Sequence, residues 1–204
     1  MTGSSIASST KAGGNGKFAR RLALVCAALA LHAAPAYALS ADSDDAPPHI
    51  AAEITAARCA GQGTYRWFGI KIYDARLWVG KAGYQSAAPA MTKFALDLRY
   101  ARTLYGKKIA AASIAEIRAL GLGTAAQQEN WLAGMERLFP DVAEGSRITG
   151  VFLPDAGVRF YLDGKILGEL PDPQFGTAFF AIWLDPKTSA AGLRGALLAD
   201  AAPR

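Results

Sequence analysis

The fold is decided by the run Gly61-Gln-Gly-Thr-Tyr-Arg-Trp-Phe-Gly-Ile-Lys-Ile-Tyr-Asp-Ala-Arg-Leu-Trp-Val79. Large aromatic and β-branched residues crowd this stretch, and such residues favour extended structure. We predict a half-buried strand over 66–73, continued after a bend over 76–79. A further strand over 94–100 alternates cleanly, with apolar side chains on one face and charged side chains on the other.

Beyond this region the hydrophobic pattern changes to a helical period and then back. An alanine-rich stretch over 109–120 predicts a helix, and Thr124 followed by Gln127 has the spacing of a capping box at the start of another. Asp172-Pro173 marks the start of an apolar helix. Short strands are predicted over 147–153, 158–162 and 165–167, and a last helix over 189–199. This order, without βαβ alternation, predicts an α+β domain with an antiparallel sheet and helices on one face.

The N-terminal segment has the pattern of an export signal. Basic residues precede the short apolar core Leu22 to Leu31, and a small-x-small site follows. We therefore expect residues 1–38 to be a signal peptide that is cleaved near Ala38, which places the protein in the periplasm or outside the cell. An uncleaved anchor is the alternative, although the apolar core is too short for a stable span. Residues 39–51 are predicted as a flexible lead-in and 52–204 as the domain.

Composition argues against several classes of protein. The chain has 22 Lys and Arg against 17 Asp and Glu. Four of the 22 basic residues lie in 1–38, so 18 remain beside 17 acidic ones, and this balance gives no reason to expect nucleic acid as a partner. After residue 38 the chain has one cysteine, Cys59, and one histidine, His49, too few for a zinc ligand set. We expect no metal and no cofactor.

Four motifs together resemble those of a known family. They are Trp67 to Trp78 with its Ile-Tyr-Asp-Ala-Arg-Leu-Trp run, Leu98-Arg99-Tyr100-Ala101-Arg102 followed by Gly106, Phe139-Pro140-Asp141-Val142 with Gly145, and Ala178-Phe179-Phe180-Ala181-Ile182-Trp183-Leu184-Asp185. Through them the chain from about residue 52 resembles the chalcone isomerase-like family, in the branch that bacteria export. The resemblance implies an open-faced sandwich, an antiparallel β-sheet covered on one face by α-helices.

The resemblance also implies candidate site residues. In the plant enzymes of this family an arginine near the first strand binds the substrate's oxyanion, and a tyrosine and an asparagine on a helix complete the site. Arg66 is the nearest match to the arginine, while Ile109 and Glu116 stand at the other two positions. The fold is also similar to plastid proteins that hold fatty acids between sheet and helices, using an arginine for the carboxylate. That similarity implies a ligand anchored by Arg66, with Tyr73 or Tyr100 as partners.

These implications leave three functional hypotheses. The first is a non-catalytic periplasmic protein that binds a fatty acid or similar amphiphile in a cleft between the sheet and the helices. The second is an isomerase or lyase acting on a small enone or aromatic substrate, in which Arg66 polarises an oxygen and Glu116 moves a proton. The third is a structural or assembly partner in the cell envelope. We expect no stable membrane span once the signal is cleaved.

Overall fold

The structure is a computed structural model that describes residues 45–204. The predicted signal peptide and residues 39–44 of the predicted lead-in lie outside the described residues. In chain order the elements are α1 (Pro48–Glu53), β1 (Arg58–Trp67), β2 (Ile70–Val79), β3 (Phe94–Tyr100), α2 (Gly106–Ala119), α3 (Ala125–Leu138), β4 (Arg147–Leu153), β5 (Gly157–Leu162), β6 (Lys165–Leu170), α4 (Pro173–Leu184) and α5 (Ala191–Leu197).

The described strands form one sheet in chain order, and every neighbouring pair is antiparallel. Helices α2 and α3 are inserted between β3 and β4, which nevertheless pair directly along Phe94 to Arg99. The expected α+β class with an antiparallel open sheet is therefore confirmed. The predicted meander of three strands corresponds to β4, β5 and β6.

A turn between β1 and β2 interrupts residues 66–73, so the prediction of a single strand there is wrong. Trp67 ends β1 and pairs with Ile70, the first residue of β2, so that Phe68 and Gly69 form a two-residue turn. Both turn residues have a positive φ, 47° for Phe68 and 79° for Gly69. Hairpin turns of this length favour such angles, and they normally place Asn, Asp or Gly there. A phenylalanine at the first turn position made the stretch look like uninterrupted strand.

Helices α2 to α5 cover one face of the sheet. The larger core lies there, where Leu77, Leu96 and Phe160 of the strands pack with Phe175 and Phe179 of α4. Burial of aromatic side chains on this scale supplies most of the driving force for folding of such a domain. The predicted placement of these helices against one face of the sheet is therefore correct.

Helix α1 packs on the opposite face of the sheet. Its presence corrects the prediction that residues 48–51 belong to a flexible lead-in. Ile50 and Ile54 bury against Trp78 and Val151, side chains that alternate away from the larger core. Ile50 is fully buried. The polar, proline-bearing composition of the segment concealed this helix, because its stability comes from a distant part of the sheet rather than from local pattern.

Local signals set where the helices begin. Thr124 and Gln127 form the predicted capping box at the start of α3, and the Asp172 carboxylate accepts from two backbone N–H groups at the start of α4. Helix α2 begins earlier than predicted, at Gly106. A Cβ at this position would lie 2.0 Å from the carbonyl oxygen of Phe139, so only glycine fits.

Candidate functional site

A cavity of about 450 Å³ lies between the sheet and helices α2 and α4. Strands β1 to β4 form its floor, and the two helices form its walls. Its apolar lining includes Leu98, Leu104, Ile109, Ile148, Phe179 and Ile182. The volume falls in the range of small-molecule sites, which are mainly apolar with a few convergent polar groups.

Short side chains on α2 leave this space open. Ala112, Ser113 and Ala115 line the cavity on the helix; Ser113 is buried, whereas Ala112 and Ala115 are exposed. The Ser113 hydroxyl donates to the carbonyl of Ile109 one turn earlier, at 2.9 Å. Its hydrogen-bonding capacity is thus directed into the helix backbone rather than into the cavity.

Three tyrosines form a row across the floor of the cavity. Tyr65 on β1 stands opposite Tyr73 on β2, and Tyr73 stands opposite Tyr100 on β3. The first pair is stacked with ring centroids 5.1 Å apart, and the second meets edge to face at 6.0 Å. Cross-strand pairs of this kind place their side chains on the same face of the sheet.

The hydroxyls of this tyrosine row differ in their partners. The Tyr73 oxygen accepts a hydrogen bond from Trp183 Nε1 on α4, at 2.9 Å. Tyr100 is only 4% exposed, yet its hydroxyl makes no hydrogen bond to any residue between 45 and 204. Since Tyr100 contributes to the cavity lining, its polar group is available to whatever occupies the cavity.

All three phenols stay protonated in the neutral range. Burial raises the pKa of Tyr73 well above its usual value of 10.0, although the Trp183 hydrogen bond opposes the change, and burial likewise raises the pKa of Tyr100. For Tyr65, burial and then the negative charge of Glu116 raise the pKa. The row therefore offers neutral hydroxyl groups as donors.

Two charged residues of α2 contribute to the lining. Lys108 and Glu116 lie two helical turns apart, and so project from the same side of the helix. Lys108 is exposed, whereas Glu116 is half-buried and its Oε2 accepts from Ser189 Oγ at 2.8 Å. The cavity thus has one positive and one negative side chain, and the negative one is the more enclosed.

Arg66, to which the family resemblance assigns a ligand, lies outside this cavity. Its side chain is exposed, and Nη1 donates to the carbonyl oxygen of Gly69 in the hairpin turn, at 3.1 Å. Tyr65 and Trp67 on either side of it both contribute to the lining. Because successive residues of a strand face opposite ways, Arg66 projects from the other face of the sheet.

The other predicted residues Tyr73, Tyr100, Ile109 and Glu116 are brought together in the lining. The proposed enzymatic pairing of Arg66 with Glu116 is not. The cavity is also lined by residues that no sequence motif had marked as site residues: Tyr65, Trp67, Lys108 and Trp183. Lys108, Ala112 and Glu116 are spaced four residues apart, which places them on one side of a helix. This spacing could have predicted part of the cavity lining from the sequence.

A second, polar cleft of about 310 Å³ lies on the opposite face of the sheet. Beside it the buried Asp97 accepts from Thr149 Oγ1 at 2.8 Å and pairs with Arg147. His49 Nε2 lies 3.0 Å from the same Thr149 oxygen, which ties α1 to β4. Burial lowers the pKa of His49, and the Asp97 charge opposes this. The arrangement fixes α1 in place.

Two classes of feature are absent from the described part of the chain. Among residues 45–204 no three His, Cys, Asp or Glu side chains are grouped closely enough to hold a metal ion. Over the same range, every helix is too short or too polar to cross a membrane.

Comparison with known sequences gives a family match and a relative. The sequence model of the family described as chalcone isomerase-like matches residues 49–199. An uncharacterized protein of Haemophilus influenzae is 32% identical over 139 residues, which cover 68% of this chain and 66% of that protein. The match therefore spans slightly less than two thirds of the relative's length.

Comparison with known structures gives a plant protein of similar fold. The crystal structure of the Arabidopsis thaliana fatty-acid binding protein AtFAP1 superposes with a TM-score of 0.57 and 13% sequence identity. The superposition covers 72% of this chain and 89% of the plant chain. At this identity the similarity shows a shared fold.

Proposed function

Because the chain belongs to the chalcone isomerase-like family, we propose that it is a non-catalytic binding protein for an amphiphile held between the sheet and the helices. The observation that carries this proposal is the cavity of about 450 Å³ with its mainly aliphatic and aromatic lining. An apolar chain in that space would be removed from water, which is the main favourable term in binding such ligands.

The family and the fold support this proposal in different ways. AtFAP1, which has a similar fold, is a fatty-acid binding protein. In this chain the cavity occupies the space between sheet and helices where the sequence resemblance located a ligand. The expected export of the protein to the periplasm, based on residues 1–38, is part of the same proposal.

An isomerase or lyase has less support. That hypothesis requires a cation that polarises a substrate oxygen beside a general base. Glu116 is in the cavity, but Arg66, the cation that the sequence resemblance assigns to this role, is not part of the lining. The cation that does line the cavity, Lys108, is exposed to solvent. The positions matched to the family's tyrosine and asparagine are occupied by Ile109 and Glu116. Ile109 supplies no hydrogen-bonding side chain there.

Filling the cavity tests the proposal. In Ala112→Trp a large ring replaces a small side chain that lines the cavity, whereas Ala111→Trp adds the same ring at an exposed neighbouring position outside the lining. We expect the uncharged fluorophore N-phenylnaphthylamine to bind the wild type and Ala111→Trp. We expect Ala112→Trp to weaken this binding by about tenfold or more, since an occupied pocket cannot accept the probe.

Circular dichroism and thermal unfolding would establish that both variants are folded. Equal probe binding by the two tryptophan variants would contradict the proposal, because the fluorophore would then bind elsewhere. Failure of the folded wild type to bind the probe at all would contradict it as well.

A further inference from the structure

The hydroxyl of Tyr100 is the most informative polar group in the cavity. It belongs to a residue that is 4% exposed, and no residue within 45–204 forms a hydrogen bond with it. Among the described residues, the fully buried polar side-chain atoms without a partner belong to Arg58 and Trp78, so the Tyr100 oxygen keeps some accessible surface, which faces the cavity. The tyrosine therefore marks the part of the cavity where a polar atom of the ligand would lie.

Tyr73 adds a second donor next to it. The two residues are direct partners across β2 and β3, and their rings meet edge to face. Because the Tyr73 oxygen already accepts from Trp183 Nε1, its own proton remains to be donated. The cavity lining thus has two neutral phenol donors on neighbouring strands.

The charges around the tyrosine row disfavour an anion. Burial is the main cause that raises the pKa of Tyr65 and of Tyr73, and the negative charge of Glu116 adds to it, as the smallest of the causes for Tyr73. The positive side chain in the lining belongs to Lys108, which is exposed on α2. An exposed ammonium is hydrated and screened, so it contributes little to the binding of a carboxylate.

From these contacts we infer that the cavity selects amphiphiles with an uncharged oxygen head group, such as an alcohol or ester, over those with an ionised carboxylate. The head-group oxygen lies at Tyr73 and Tyr100, and the apolar chain extends along the aliphatic lining between the sheet and α2. This inference rests on the proposed function and adds the class of ligand to it.

Two ligands that share one chain length test the inference. Dodecanol and dodecanoic acid differ in the head group alone, and each can be titrated against bound N-phenylnaphthylamine at neutral pH. We expect the wild type to bind dodecanol about tenfold more tightly than dodecanoate, because the carboxylate must give up hydration next to Glu116.

Substitutions assign the difference to particular residues. Tyr100→Phe removes the hydroxyl alone and should weaken dodecanol binding about fivefold. Tyr84→Phe is the matched control, since Tyr84 is a buried tyrosine outside the lining of this cavity. Glu116→Gln should improve dodecanoate binding more than it changes dodecanol binding.

The possible failures are distinguishable. Dodecanoate binding as tightly as dodecanol, or more tightly, overturns the inference while the proposed function stands. In that case a selective loss of dodecanoate binding in Lys108→Gln would locate the carboxylate at Lys108. If the fluorophore binds and neither ligand displaces it, the inference is also wrong. If the fluorophore itself does not bind, the proposed function fails first.

Discussion

Glu53, the last residue of α1, should make the stability of the protein depend on pH in the acid range. Its carboxylate accepts a hydrogen bond from the Tyr161 hydroxyl at 2.6 Å and pairs with Lys93 at 3.1 Å and with Arg159. Burial alone would raise its pKa, but the bonds from Tyr161, Arg159 and Lys93 outweigh burial and lower the pKa from 4.5 to about 2.

The size of the effect follows from this difference. At about 1.4 kcal/mol per pH unit, a fall in the pKa from 4.5 to about 2 corresponds to an upper bound of about 3.5 kcal/mol. The Lys93 and Arg159 side chains are 37% and 31% exposed, so solvent screening reduces the contribution to about 1–2 kcal/mol. A lowered pKa stabilises the ionised folded form, so this contribution is complete above pH 4.5 and is lost as pH falls toward about 2.

Urea unfolding of the wild type and of Glu53→Gln would measure the contribution of the Glu53 carboxylate to the free energy of unfolding. At neutral pH the variant should have a free energy of unfolding about 1–2 kcal/mol lower, and this difference should shrink as pH falls through the acid range. Glu136→Gln, on the exposed side of α3, controls for the loss of one negative charge. A wild-type advantage over Glu53→Gln that stays constant between pH 4.5 and about 2 would refute the reasoning.

Three further substitutions test the packing that positions the site, each by urea unfolding. Asp97→Ala should lower the free energy of unfolding by about 3 kcal/mol, because it leaves Arg147 without its buried partner; a loss near zero would mean that the ion pair is not formed. Gly106→Ala should lower it by about 3 kcal/mol, since the added Cβ would overlap the Phe139 carbonyl oxygen, and a neutral result would show that α2 can shift freely. Phe68→Asn should raise the free energy of unfolding by about 1 kcal/mol, because asparagine tolerates the left-handed φ of 47° better than phenylalanine does. A lower free energy of unfolding in this variant would show that the phenylalanine ring stabilises the protein by more than its backbone strain costs.

Local sequence signals predicted much of the fold. The capping box of Thr124 and the Asp172-Pro173 helix start are both found as expected, because each depends on residues within one helical turn. The family resemblance, confirmed by the match over 49–199, extended these local predictions to the whole sheet. Its finer part, membership of the exported branch, stays a prediction.

The sequence was less informative about which face of the sheet a residue occupies and about contacts between residues that are distant in the chain. Arg66 was predicted to hold a ligand, but the ladder shifts register between Tyr65 and Arg66, and the arginine projects away from the cavity. Strand alternation predicts which residues share a face of the sheet, but it does not predict which of the two faces borders the cavity. Helix α1 was missed because its contacts are not local: His49 contacts Thr149 on β4, and Ile50 packs with Trp78 on β2 and Val151 on β4.

The order of the strands also has a kinetic consequence. β1–β2, β4–β5 and β5–β6 are joined by short connections, so each of these pairs can form before the rest of the chain is organised. β3 and β4 can pair only after the ends of the α2–α3 segment meet, and the entropy lost in closing that loop is larger. Since the same segment supplies one wall of the cavity, the ligand site would be completed late, after the local hairpins have formed.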